Sequence, residues 1–515
     1  MSENELYKYV IEKARSFGMH PKNDSEKTSN IVNDKGNAII RHNKNDNPYF
    51  ALINKNEETS GRYSGLSFVI FPNTVDGAVT HCVMSIGIGS ATLGNDTALA
   101  CSPGFRRSFM KLVADDTTKY PSEYFFAENW GDMESRTPGL KEAVESTKQT
   151  TLISSVSGYD DNDSNNRVGL LPAACLLTFD EDFKCDKEIP MIDAWLAQYA
   201  KWRLWDSTQN ARNAIDEAIN KVRRTDKSNQ DLRNEVENLL QQRRYVVLQG
   251  APGCGKTRMA LEIAQQFDPE YVTFTQFHAE TTYADFVYGI KPSLSGDKLG
   301  YRGEKGVLLE ALAKAKHAAD KGKKALLIID EINRANLSNV LGPVFYLFEA
   351  NAQDHKYKLN LGTIETPERK IERIELDRLP DNLFVIATMN TADRSLAVVD
   401  FALRRRFVWY TLFPKRLSAN DLGEKFFDEK RFSEFNDLFE KYATDDELHL
   451  QPGQSYFILD QKPDDSGQIS EEMKERLKYE LMPLMKEYFS EGFLPDAKDE
   501  FSHLFYKYTN EYMYK

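Results

Sequence analysis

The sequence predicts an α/β chain in three parts: a mixed α and β N-terminal half, a central segment where strands of a parallel sheet alternate with helices, and a helical C-terminal part. Three observations predict it. Between Arg244 and Leu412 the apolar runs are short and unbroken, as strands buried on both faces of a parallel sheet read. A glycine-rich turn joins the first of these runs to a stretch of good helix formers. Short strand-like runs separated by turn dipeptides fill the first 200 residues, and helix formers with aromatics fill the segment after Phe413.

The N-terminal part starts with a helix-like stretch, Glu5 to Phe17, followed by a polar segment, Pro21 to Asp46. Strand-like runs follow at Tyr49 to Ile53, Leu66 to Phe71, Thr80 to Ile88 and Val168 to Thr178. The turn signals Pro72-Asn73 and Asp76-Gly77 make the second and third of these a hairpin. Asp160 to Arg167 reads as a polar loop. From Asp193 to Arg243 the pattern is helical, interrupted at Arg223 to Asn229. These shifts divide the chain into an N-terminal domain at 1–200, a helical linker at 201–235, a nucleotide-binding domain at 236–412 and a helical lid at 413–515.

The central part carries the chemistry. Residues 250 to 257, Gly-Ala-Pro-Gly-Cys-Gly-Lys-Thr, fit the phosphate-binding loop pattern at every fixed position. The strand-like run Arg244 to Gln249 precedes it and the helix-forming run Arg258 to Ala264 follows, as the pattern requires. Gly250, Gly253 and Gly255 let the backbone curl so that successive N–H groups point at an anion, and the helix start adds its positive dipole end. Pro252, Cys254 and Arg258 complete the stretch expected around the phosphates. Lys256 is placed to reach the β- and γ-phosphates, and the Thr257 hydroxyl to sit on Mg²⁺.

Two further strands end in polar residues. Ala325 to Ile329 runs into Asp330-Glu331, which describes a central strand emerging at the edge where open α/β sheets bind ligands. Asp330 is placed to organise Mg²⁺ and Glu331 to orient or deprotonate an attacking water. Leu383 to Met389 ends at Asn390, whose amide is placed to hold either that water or a γ-phosphate oxygen. Arg404, Arg405 and Arg406 form either a solvated helix end or a set of cations for developing phosphate charge.

Composition bounds the rest. A length of 515 residues implies roughly two to four domains. The net charge of −13, and about −8 within the first 200 residues, argues against a chain that coats DNA along its surface. Basic residues do cluster at Arg41, His42 and Lys44 and at Arg106, Arg107 and Lys111. The aromatics Tyr63, Phe68, Phe105, Phe109, Phe125, Phe126 and Trp130 lie near in sequence and are either stacking partners for a flipped base or core. Five cysteines without metal-type spacing suit a reducing cytoplasm. The acidic N-terminus lacks a secretory pattern, and no run of about 18 apolar residues predicts a membrane span.

At this point the residues resemble a known family. Asp330 to Ser338 (Asp-Glu-Ile-Asn-Arg-Ala-Asn-Leu-Ser), Met389 to Asp400 (Met-Asn-Thr-Ala-Asp-Arg-Ser-Leu-Ala-Val-Val-Asp) and Ala402 to Phe407 are similar to the McrB-like AAA+ GTPases, motor subunits of modification-dependent (type IV) restriction systems. Gln276-Phe277-His278 with Tyr283 to Gly289 resembles another stretch of the family, and Gln454-Ser455-Tyr456-Phe457 a lid motif in which histidine is expected at 454. The likeness covers about 240 to 490.

The resemblance implies an AAA+ αβα sandwich with a five-stranded parallel sheet and a C-terminal helical lid, behind an α+β domain that recognises DNA, often through a modified base. It implies a hexameric ring in the cytoplasm of a prokaryote, hydrolysing GTP where most AAA+ relatives use ATP, with a separate McrC-like nuclease subunit as partner. By motif it implies that Lys256 and Thr257 bind phosphate and Mg²⁺, that Asp330 supports Mg²⁺, that Glu331 is the base, that Asn390 is a sensor and that Asp393 belongs to the signature loop. Arg405, with Arg406 next, is the expected finger acting on a neighbouring subunit. No guanine-reading motif decides between GTP and ATP, and no nuclease constellation is evident in this chain. The alternative reading is an AAA+ ATPase that remodels a protein client.

Overall fold

The structure is a computed structural model. It describes residues 1–19, 39–41, 49–52, 66–88, 102–113, 123–127, 170–179, 187–203, 205, 208–222, 228–295, 298–348, 358–365, 371–392, 404–461 and 469–514. Asp393, His42, Lys44, Tyr63, Trp130 and the loop 160–167 lie outside the described residues. The chain divides into two units, Met1–Thr225 with Glu440–Thr444, and Asp226–Phe439 with Asp445–Lys515.

The first unit is built on a six-stranded antiparallel sheet in the order β1-β2-β3-β4-β6-β5. Its strands are β1 (Ile39–Arg41), β2 (Tyr49–Leu52), β3 (Leu66–Val75), β4 (Ala78–Ile88), β5 (Tyr124–Phe126) and β6 (Leu170–Thr178). β3 and β4 are the expected hairpin. Val75 pairs with Ala78, and Asp76 (φ 51°) and Gly77 (φ 81°) between them both take the left-handed conformation that a two-residue hairpin turn demands. Pro72-Asn73, expected as a turn, lies instead inside β3. Proline is tolerated there because the described pairing of β2 with β3 stops at Ile70, so among the described residues no ladder bond on that side needs its missing N–H.

Helices Glu3–Ser16, Glu188–Trp202 and Gln209–Val222 bury Leu6, Val10, Trp195, Tyr199, Ile215 and Ile219 in one core with Phe68, Ile70, Met84 and Ile86 of the sheet. Phe105 and Phe109 join it, their rings 5.3 Å from Trp202 and 5.1 Å from Trp195 respectively. Phe68, Phe105, Phe109, Phe125 and Phe126 are thus all buried core residues, not rings displayed for a base.

The second unit holds a five-stranded, all-parallel sheet. Its strands are β7 (Tyr245–Gly250), β8 (Val272–Gln276), β11 (Ala325–Asp330), β14 (Leu383–Asn390) and β15 (Val408–Thr411), in the order β15-β7-β14-β11-β8. Alternate residues serve opposite faces. Tyr245, Val247, Leu327, Ile329, Val385 and Ala387 pack with helix Val307–Asp320 and the segment 337–348. Val246, Leu248, Leu326, Ile328, Phe384 and Ile386 pack with helices Asn229–Arg243 and Lys256–Ala264. Burial on both faces is why these strands read as unbroken apolar runs.

Two antiparallel hairpins interrupt the alternation: β9 (Tyr288–Ser295) with β10 (Lys298–Lys305), and β12 (Leu359–Glu365) with β13 (Ile371–Leu376). After β15 come a short strand pair, Phe426–Phe427 with Ile458–Leu459, and the helices Glu429–Tyr442, Glu471–Arg476, Met482–Ser490 and Lys498–Thr509. Phe435 of the first of these helices packs on Phe457, Phe501 and Phe505. No described helix is long and apolar enough to cross a membrane.

Candidate functional site

The site forms where three strands of the parallel sheet end together. β7 runs into the phosphate loop at Gly250, and helix Lys256–Ala264 leaves it. Gly253 (φ 80°) and Gly255 (φ 86°) occupy the left-handed region that a side chain disfavours. Lys256 is buried, and its ammonium donates to the carbonyls of Gly250 (2.9 Å) and Ala251 (2.8 Å). The neighbouring Cys254 thiol is buried too, and that burial pushes its pKa up to about 12, against the pull of the Lys256 charge. Arg258 sits further along the helix, where it pairs with Glu262 at 2.7 Å and donates to the Asp421 carbonyl at 3.1 Å.

Strand order decides what faces the loop. β14 lies between β7 and β11, with Asn390 opposite Gly250 and Ala387 opposite Ile329. The tips of all three strands therefore reach one edge. Asp330 is buried there, and its Oδ1 accepts from the Thr257 hydroxyl at 2.7 Å and from the Thr388 hydroxyl at 2.7 Å. Thr388 in turn accepts from the Glu331 N–H at 3.0 Å. Asn333, also buried, donates to the Asn390 carbonyl at 3.1 Å, and the Asn390 side-chain oxygen accepts from the Ala392 N–H at 3.2 Å.

Glu331 has φ 52°, ψ 49°, a left-handed conformation that a residue with a side chain adopts only when its surroundings enforce it. The turn carries its carboxylate off the line of β11, to 3.6 Å from Arg334. The two side chains border a cleft of about 420 Å³ lined also by Gln276, Phe277, His278 and Ala279. The oxygen donors of Thr257 and Asp330, touching at 2.7 Å beside an anion cradle, suit a small hard cation such as Mg²⁺.

The arginines stand elsewhere. Val408 pairs with Val246, so Arg404 to Arg406 lie level with the start of β7, at the opposite edge of the sheet. Val408, which follows them, is level with Val246, about 13 Å short of Gly250 along the strand at about 3.3 Å per residue. Arg404 lies over the Trp409 ring (5.4 Å) and Arg406 over the Phe345 ring (5.6 Å). Arg405 is exposed between them.

Sequence reasoning missed Thr388, which binds both acids' segment, and Asn333. The available signal was a hydroxyl inside the otherwise apolar run Leu383 to Met389.

A phosphate loop after the first strand of a five-stranded parallel sheet, paired acids on a second central strand and helices beyond the last define an AAA+ α/β protein. Residues 245–407 match the AAA domain of the dynein-related subfamily. Within that class the chain is McrB-like. It is 33% identical over 271 residues to the Type IV methyl-directed restriction enzyme EcoKMcrB subunit of Escherichia coli (strain K12), covering 49% of this chain and 56% of that protein. It is 30% identical over 189 residues to the Type II restriction enzyme BsuMI component YdiS of Bacillus subtilis (strain 168), covering 31% and 54%. The chain spans about half the length of the curated relatives it matches. Among solved structures, a putative ATPase from Cytophaga hutchinsonii aligns at 17% identity over 36% of this chain and 47% of that one, with a TM-score of 0.23.

Two outcomes follow from this geometry. Thr388→Val keeps the shape but removes a donor to Asp330 and leaves the Glu331 N–H without its acceptor. Steady-state kinetics are expected to show kcat for nucleotide hydrolysis lowered about 10-fold, with a smaller change in KM. Cys254, with its thiol held protonated, is expected to resist alkylation. At pH 8 the buried thiol therefore stays protonated. Labelling followed by mass spectrometry should therefore rise about tenfold per pH unit from 7 to 9, without levelling off.

Proposed function

We propose that this chain is a nucleoside-triphosphatase that works as the motor of a modification-dependent restriction system. The observation that carries the enzymatic half is the linked set Thr257, Asp330, Glu331 and Thr388 beside the phosphate loop. Main-chain N–H groups of residues 253 to 257 and the start of helix Lys256–Ala264 hold the triphosphate tail. Lys256 adds its charge at the β- and γ-phosphates. Thr257 and Asp330 hold Mg²⁺, which neutralises charge on the phosphate oxygens when bound. Glu331 orients the attacking water and takes its proton. Asn390, at the strand tip between them, orients either the water or a γ-phosphate oxygen. The substrate is GTP or ATP, and turnover with each distinguishes them.

Arg405 serves the phosphate loop of a neighbouring copy. Support for this comes from the sheet itself, whose register keeps Arg405 far from its own chain's Gly250. Hydrolysis then depends on assembly into a ring, a hexamer by likeness. The likeness to restriction subunits supports a McrC-like nuclease partner and DNA, carrying a modified base, as the target of the first unit. The Asp393 signature loop belongs to the same reading.

The test is a set of variants. Glu331→Gln should bind nucleotide normally and lose turnover by about 10²-fold or more. Arg405→Ala and Lys256→Ala should each be inactive alone. Mixed together they should regain turnover, because some interfaces then pair an intact lysine with an intact arginine. Normal turnover by Glu331→Gln removes the proposed base, and no recovery on mixing removes the shared site. Filter binding of the full chain to methylated and plain DNA tests the target; retention of neither favours a protein client.

A further inference from the structure

The segment that opens the strand Ile458–Leu459 runs back over the phosphate loop. The Gly453 N–H donates to the Pro252 carbonyl at 2.8 Å, and the Ser455 N–H to the Gly253 carbonyl at 3.1 Å. Between them Gln454 turns inward and is 7% exposed. Its Nε2 donates to the Cys254 carbonyl at 3.0 Å, and its Oε1 accepts from the Lys415 N–H at 3.3 Å. Three consecutive residues thus bind three consecutive carbonyls of the loop. The approach leaves no room for a side chain: a Cβ on Gly453 would stand 2.0 Å from the Gly253 carbonyl carbon and 2.2 Å from the Cys254 nitrogen.

A trans peptide carries its C=O and the following N–H on opposite sides. Fixing the carbonyls of Pro252, Gly253 and Cys254 on one side therefore aims the N–H groups of Gly253, Cys254 and Gly255 to the other. Those are the donors that an anion in the loop requires. Gly253 and Gly255, with few steric limits, would otherwise leave these peptide planes loosely set. Lys415 lies just beyond β15, which pairs with β7. One amide thereby links the loop to the chain leaving the sheet and to the C-terminal helical part.

We propose that Gln454 is a positioning residue for nucleotide binding: it holds the phosphate loop in its anion-ready form, and makes that form depend on the lid staying closed over the loop. This rests on the phosphate-loop reading above. The contact is made before and during the reaction alike, so its loss weakens binding more than turnover.

The experiment titrates fluorescent methylanthraniloyl GTP and ATP against the full chain, with kcat and KM measured in parallel. Gln454→Met keeps length and removes both hydrogen-bonding ends. Its Kd and KM are expected to rise about 10-fold, with kcat changed less than about 2-fold. Gln454→His restores a donor and an acceptor, and is expected within about 3-fold of the parent. Wild-type affinity in Gln454→Met overturns the proposal. If that variant does not fold, the histidine variant decides: affinity near the parent upholds the donor requirement, and a tenfold loss rejects it. Lys256→Ala separates the two layers. If it binds nucleotide like the parent, the phosphate-loop reading fails; if it is weakened while Gln454→Met is not, only the role of Gln454 fails.

Discussion

Asp330 accepts two hydroxyl hydrogen bonds on one oxygen, and the candidate site is organised around that point. One hydroxyl, on Thr257, belongs to the helix that follows the phosphate loop; the other, on Thr388, belongs to the strand between loop and acids. The contact is possible only because β14 is inserted between β7 and β11. Were β7 and β11 direct neighbours, no strand would bring Thr388 and Asn390 between the loop and the acids. A buried carboxylate must be hydrogen-bonded to be tolerated. The two threonines meet that requirement for Asp330, and they fix its orientation while doing so. Glu331, one residue on, is treated differently: its N–H is tied to Thr388 and its backbone is forced left-handed, so its carboxylate leaves the strand line and borders a cleft.

Much of this was legible in the sequence because the signals were local. The phosphate loop, the apolar run into Asp330-Glu331 and the run into Asn390 each announce a strand and its polar end within a dozen residues. The Asp76-Gly77 turn was legible for the same reason, since both residues supply the positive φ that the hairpin needs. What could not be read was anything depending on strand order. Thr388 looks like an ordinary β-branched residue of a buried strand until β14 is known to adjoin β11. Gln454 sits 200 positions from Cys254, and its side chain bonds to a carbonyl, which leaves no pairing pattern in sequence. The two hairpins were missed because their strands are rich in glycine and charge, as in Gly300 to Lys305.

In the first unit the structure decides between two readings that the sequence leaves open. Aromatics near basic residues are either stacking partners or core, and the rings of Phe105, Phe109 and Phe126 close on Trp195 and Trp202. Burial of large rings is the larger energetic term, about 2–3 kcal/mol for a phenylalanine removed from water. An aromatic at strand or helix spacing is committed to the core before it is available to a ligand. A target-reading role for this unit therefore has to rest on groups other than these rings.

Sheet polarity sets a last constraint. All five strands of the second unit's main sheet run parallel, so the phosphate loop and the acids share one edge, and Arg404 to Arg406 lie toward the other. On the reading proposed above, an arginine from that second edge completes a site on the first. A two-fold dimer pairs the two edges only when both lie in one self-complementary patch. A head-to-tail contact pairs them one at a time, and the pair is then left with one unsatisfied edge of each kind. Repeating the contact either closes a ring or grows a filament. A ring is the closed solution, and it leaves every cradle with its arginine. On that reading, the need for assembly follows from the direction of the five strands and the position of the arginines.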